Sequence, residues 1–136
     1  ADVLDINLEF LFDEYRKNRP VQIIRYNERA AQKEEDILYE ELARAESSDK
    51  ENSIESYMIT IPKGSHTHRG SYGHLGRELG IILKGKGCLK YENKEYILNE
   101  GDSASFSAAV PHVLENVGDV DLQAIWVVTP AQRFVK

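Results

Sequence analysis

The sequence predicts an all-β fold, a small antiparallel barrel or sandwich preceded by one short helix. Three observations carry that expectation. Runs rich in β-branched and aromatic residues recur roughly every 8–12 residues from Ser56 onward, with turn residues in each gap. All nine glycines and all four histidines lie after residue 63, so turns and candidate chemistry share the rear of the chain. Charge is split the same way: 15 acids face 8 bases before Tyr57, against 8 acids and 9 bases from Tyr57 onward.

The bulk numbers narrow the function classes. A chain of 136 residues is one domain's worth. With 41% hydrophobic and 29% charged residues it has the ordinary globular mixture, which argues against wholesale disorder. No apolar run approaches the roughly 20 residues of a membrane helix, so no membrane partner is expected. The net charge of -6 argues against this chain gripping nucleic acid by itself. The lone Cys88 cannot form an internal disulfide and fits a reducing cytoplasm, the expected location.

Along the chain, Asn7 to Lys17 reads as a short helix: Asn7 is an N-cap, and Leu8, Leu11, Phe12 and Tyr15 gather on one side. Pro20 ends it. Residues 1–20 are therefore expected to be a helix and linker, and 21–136 the main domain. Val21 to Tyr26 has strand composition, and Asn27 to Asp36 reads as a charged loop. Ile37 to Leu42 fits a strand or the middle of a helix from Glu28 to Ala45. Ser47 to Ser53 is a polar connection. Ser56 to Ile61 alternates, with Tyr57, Ile59 and Ile61 on one face. Pro62 to Gly76 is a long loop holding three histidines. Strands are then expected at Glu78–Leu83, Cys88–Tyr91, Glu95–Leu98, Ser103–Ser107, His112–Asn116 and Leu122–Val128, with Asn93 placed at a positive φ in a hairpin turn.

The informative stretches are Tyr72-Gly-His74-Leu-Gly-Arg77-Glu78, closed by Gly85, and Gly101-Asp102 leading to Pro111-His112 and Asn116. Together they resemble the two sequence motifs of the cupin superfamily, with Tyr72 in the first histidine slot, His74 in the second and Glu78 as the glutamate. The resemblance implies a double-stranded β-helix of jelly-roll type. A narrower likeness lies at the front and the end. Leu4 to Glu14 resembles the junction that follows a helix-turn-helix domain in regulators of the xenobiotic-response-element type, and Tyr72-Gly73-His74 with Trp126-Val-Val-Thr-Pro130 matches their cupin variant. It implies the effector-sensing half of a transcription regulator, a homodimer that contacts DNA only through a helix-turn-helix domain upstream of Ala1.

Chemistry can be weighed beside the likeness. His74 and Glu78, four apart at a loop-to-strand entry, converge on one point if His112 faces them. Two imidazoles and one carboxylate leave positions open on a divalent metal, Zn, Fe, Mn or Ni, as in non-haem iron oxygenases or zinc sites. A polar pocket holding an organic ligand without metal is the competing reading. A metal-dependent oxygenase, epoxidase or isomerase is the enzymatic alternative to a sensor of a small-molecule effector, and fold does not choose between them. Tyr72 is open to three roles: fourth ligand, hydrogen-bond donor to a bound molecule, or plug. Arg77, Phe106 and Trp126 join Tyr72 as candidate ligand contacts, the two aromatics being weighed first as core. His66 and His68 read as a solvated loop, Cys88 as a small buried hydrophobe, and Glu34, Glu35, Asp36, Glu40 and Glu41 as a solvated face.

Overall fold

The computed structural model describes residues 21–46, 52–132 and 134–135. The expected helix at Asn7–Lys17 lies outside the described residues. Among those described, the only helical element is a 3₁₀ turn at Tyr26–Glu28. Eleven strands follow: β1 (Ala31–Glu34), β2 (Ile37–Ala43), β3 (Ala45–Glu46), β4 (Glu55–Ile61), β5 (Arg77–Lys84), β6 (Gly87–Tyr91), β7 (Lys94–Leu98), β8 (Ser103–Ser107), β9 (His112–Asn116), β10 (Leu122–Thr129) and β11 (Phe134–Val135). The fold is all-β, as the strand spacing predicts.

A six-stranded sheet runs in the order β1-β2-β4-β10-β5-β8, and a three-stranded sheet in the order β7-β6-β9. Every pair within these two sheets is antiparallel. A short parallel pairing joins β11 to β3. Strand alternation decides what the sheets enclose. Along β10, Leu122, Ala124, Trp126 and Val128 are buried while the residues between them are only half-buried. Tyr57, Ile59 and Ile61 on β4 turn to the same interior, where they meet Leu89 of β6 and Leu114 of β9 in one core. Ile37, Ile61, Ile82 and Leu122 are essentially sealed from water. Each contributes about 1.5–3 kcal/mol through burial.

Four expectations at the local level are corrected. Val21 to Tyr26 is not a strand: Val21, Ile23 and Tyr26 are exposed, and the segment is tied to the end of β2 through the Gln22 side chain, which bonds both the N–H and the C=O of Arg44. Residues 27–36 are not a loop throughout. β1 forms there as an exposed edge strand, paired through its backbone to β2 across a Glu35-Asp36 turn in which Glu35 has φ 55°. In the β6–β7 hairpin the positive φ falls on Glu92 rather than Asn93, because Tyr91 pairs with Lys94 and makes Glu92 the first turn residue. Of the acids expected on a solvated face, Glu35 and Asp36 are exposed there, beside His68 and Ser65 of the histidine-bearing loop, but Glu34 is half-buried against Arg69. Of the polar connection at 47–53, Asn52 and Ser53 are described, and Ser53 is buried with its carbonyl and hydroxyl receiving the Ala131 N–H.

Candidate metal centre

Three elements bring the site together. Glu78 is the second residue of β5 and points inward by strand alternation, 6% exposed. His74 sits on the loop just before that strand, where its N–H donates to the Ala108 carbonyl and the Gly76 carbonyl accepts from Ala108 N–H. His112 opens β9 and donates its backbone N–H to the Gly70 carbonyl. Gly70 has no side chain for a physical reason: a Cβ there would lie 2.3 Å from His112 Nε2. The bare backbone lets the loop pass directly over the ring.

The donors converge on one carboxylate oxygen. His74 Nε2 and His112 Nε2 both lie 2.7 Å from Glu78 Oε2. The three ligand atoms are all within 4.8 Å of one another. Each imidazole turns its Nδ1 to a backbone carbonyl, His74 to Leu75 O at 3.0 Å and His112 to Val110 O at 2.8 Å. A carbonyl only accepts, so Nδ1 carries the ring proton, and Nε2 offers its lone pair toward Glu78 unless it is protonated as well. One buried oxygen met by two such nitrogens calls either for two imidazolium protons or for one cation shared by all three donors. Two histidines and one carboxylate suit a divalent ion, with backbone carbonyls orienting the rings behind them. In the protein alone, burial raises the Glu78 carboxyl, but hydrogen bonds from His112 and Trp126 and the charge of both imidazoles outweigh it and hold it below the usual carboxylate range. Burial depresses His112, and the hydrogen bonds to Glu78 and Val110 more than offset this, so it lies above the ordinary imidazole value.

The centre opens into a cavity of about 330 Å³. Ile59, Leu89, Leu114 and Val128 make its apolar wall, and Tyr39, Tyr57, Glu55 and Arg69 its polar one. Arg69 is held in place by Nε and Nη2 bonds to Glu34 at 2.9 and 3.0 Å, with its guanidinium 3.6 Å over the Tyr39 ring and 4.8 Å over that of Tyr57. The Tyr57 hydroxyl donates to Glu55 Oε2 at 2.6 Å. Burial first, then that neighbouring carboxylate, pushes the Tyr57 phenol well above its ordinary value.

Of the expected ligand contacts, Trp126 alone lines this cavity. Its indole N–H donates to Glu78 Oε1 at 2.5 Å. Tyr72 is 95% exposed and is not one of the lining residues, so it is neither a fourth donor nor a plug here. Arg77 is exposed because it precedes Glu78 on the same strand, and alternation sends it to the outer face. Phe106 is core, its ring 4.9 Å from that of His112, and it backs the site rather than facing the cavity. His66 and His68 are exposed and outside the lining; His68 Nε2 pairs with Glu35 at 3.0 Å. Between and beyond them, Thr67 and Arg69 face the cavity. The stretch runs extended enough for His66 to bridge to Glu115 of β9, so alternate residues turn inward. That alternation was the available signal for Arg69.

Comparison with known proteins decides the family. The Cupin domain model Cupin_2 matches residues 57–128, more than half of the chain. The chain belongs to the cupin family. A relative of this cupin is an uncharacterised protein of Methanocaldococcus jannaschii, 29% identical over 65 residues that make up 48% of this chain and 51% of the relative. The cupin thus spans about half the length of that protein. Among solved structures it is similar to an RmlC-like cupin from Shewanella frigidimarina, with TM-score 0.69 and 13% identity over 84% of this chain and 95% of the other. The hydroxypropylphosphonic acid epoxidase from S. wedmorenis is similar with TM-score 0.66 and 23% identity, covering 79% of the cupin and 59% of the epoxidase. The Cupin_2 domain of an XRE family transcriptional regulator from Enterobacter cloacae gives TM-score 0.59 and 15% identity, over 68% and 94% of the two chains. At these identities the likeness is one of fold. Among the described residues no helix is long and apolar enough to cross a membrane.

Proposed function

We propose that this cupin is the small-molecule-sensing domain of a cytoplasmic transcription regulator, holding one divalent metal on His74, Glu78 and His112 with an effector beside it. The observation that carries the metal and ligand part is the convergence of two Nε2 atoms and a buried carboxylate oxygen at the wall of a cavity large enough for a small molecule. The regulator part is supported by the likeness of fold to the domain from Enterobacter cloacae. In this reading the chain works as an isologous homodimer, and DNA is contacted through a separate N-terminal domain. The effector shifts the pair between two states in proportion to its differential affinity for them. When bound, the ion supplies Lewis acidity at positions the three donors leave open. The residues of the chain do the rest: Arg69 and Tyr57 present polar groups to the bound molecule, and the apolar wall excludes water from it.

Elemental analysis of protein purified without chelator is expected to return about one divalent ion per chain, and His112→Ala is expected to lose it. Light scattering is expected to give twice the 15.5 kDa of the chain; a value near 15.5 kDa at micromolar concentration would refute the dimer. Mass spectrometry of material released from the folded protein should find a small molecule, and adding it to the regulator with its DNA-binding domain should change operator affinity. The donor set itself favours a second reading, a metal-dependent oxygenase, epoxidase or isomerase, because two histidines and a carboxylate are the set used by non-haem iron oxygenases. For an oxygenase or epoxidase, oxygen uptake by iron-loaded protein in the presence of that molecule decides for the enzyme, and its absence decides against.

A further inference from the structure

Glu78 has two carboxylate oxygens, and the fold uses them differently. Oε2 faces both imidazoles, while Oε1 accepts the indole N–H of Trp126. Both residues are buried, at 6% exposure each. Trp126 on β10 pairs directly with Gly80 on β5. A Cβ at Gly80 would fall 2.0–2.5 Å from three atoms of the six-membered ring of the indole, so the ring crosses β5 only because residue 80 is glycine. The ring also packs against Phe106, at 6.2 Å between centroids. The indole is therefore held by two neighbours, with its single donor aimed at one oxygen.

We propose that Trp126 is a positioning residue that makes Glu78 a one-oxygen ligand. The proposal rests on the metal reading above. A carboxylate with both oxygens free can chelate an ion and fill two coordination positions. With Oε1 held by the indole, the ion takes Oε2 alone, and one more position stays open for a small molecule. An indole suits this task because it donates, never accepts, and carries no charge that would repel the ion. Gly80 is the second half of the device, since it provides the space that sets the height of the ring above the strand.

The chain has one tryptophan, so its indole N–H gives a single NMR resonance. In wild-type protein that resonance is expected to show a hydrogen-bonded shift and slow exchange with water, both before and after loading with Zn²⁺. Trp126→Phe keeps an aromatic side chain and removes the donor. Its Zn²⁺ affinity is expected to fall about 10–100-fold, the usual effect of removing an outer partner of a ligand. The crystal structure of the zinc-loaded variant should show Glu78 chelating with both oxygens, a change that a merely structural role would not produce. Unchanged affinity with one-oxygen coordination in that variant overturns the positioning role and leaves the metal reading standing. An indole N–H that loses its bond when wild-type protein takes up Zn²⁺ overturns it too, and that measurement decides the matter if the variant does not fold. Wild-type protein that takes up no Zn²⁺ overturns the metal reading and this proposal with it.

Discussion

Two pairs of histidines stand close together in this cupin, and only one shares a buried acceptor. The rings of His66 and His68 are 4.6 Å apart, nearer than the 5.7 Å between His74 and His112. Tautomer does not separate the pairs either, since His66 turns Nδ1 to the carbonyl of the next residue just as His74 does. What differs is the acceptor and its surroundings. The inner pair meets one buried carboxylate oxygen from two different elements. Of the outer pair, His68 faces Glu35, which is exposed at a hairpin turn, and water competes for every bond. Closeness of like side chains is a weak sign of a site. A shared, desolvated acceptor is a strong one.

That contrast can be broken most severely at its centre. Glu78→Gln replaces the shared carboxylate by a neutral amide and is expected to abolish measurable uptake of Zn²⁺ in a calorimetric titration, whereas His66→Ala leaves it unchanged. Gly70→Ala should push the inner pair toward the outer condition, because the new methyl group collides with the His112 ring. Thermal unfolding should register a loss of about 1–3 kcal/mol, the range for overpacking, together with weaker metal binding. A fully stable Gly70→Ala protein with intact binding would mean that the loop over His112 yields freely.

Arg69→Ala tests the neighbour of the outer pair that belongs to the inner side. It removes the two-bond fork on the half-buried Glu34 and the guanidinium stacked over Tyr39. A stability loss of about 1–2 kcal/mol is expected from denaturant titration. Arg69→Lys should recover only part of it, since one ammonium cannot form the two-bond fork. His68→Ala is expected to have the smallest effect, under about 0.5 kcal/mol, because its partnership with Glu35 is exposed. A larger loss would show that the outer pair braces the loop.

The donor triad was legible because its residues sit in motifs whose spacing is short-range: His74 and Glu78 are four apart, and Pro111-His112 closes a turn. The strands from β4 to β10 were legible for the same reason, each being a short run bounded by turn residues, with clear alternation in β10. Tyr72 was misleading because motif spacing says nothing about side-chain direction once the chain is in a loop. Arg77 was misplaced although alternation from Glu78 was enough to send it outward. β1 was hidden because an exposed edge strand carries no apolar stripe, and its existence depends on the backbone of β2. Arg69 was missed because what makes it a wall residue, the Glu34 fork and two tyrosine faces, comes from β1, β2 and β4.

The stretch that matches the family model, residues 57–128, contains His74, Glu78, His112 and Trp126. Tyr39, Glu55 and Gln132 of the cavity wall, and the Glu34 that anchors Arg69, all lie outside it. The family-matched stretch thus carries the three donors, their bracing and most of the chamber, while the flanking segments close its remaining side. Substitutions at Tyr39, Glu55 or Gln132 would reshape that side of the wall and leave the three donors untouched.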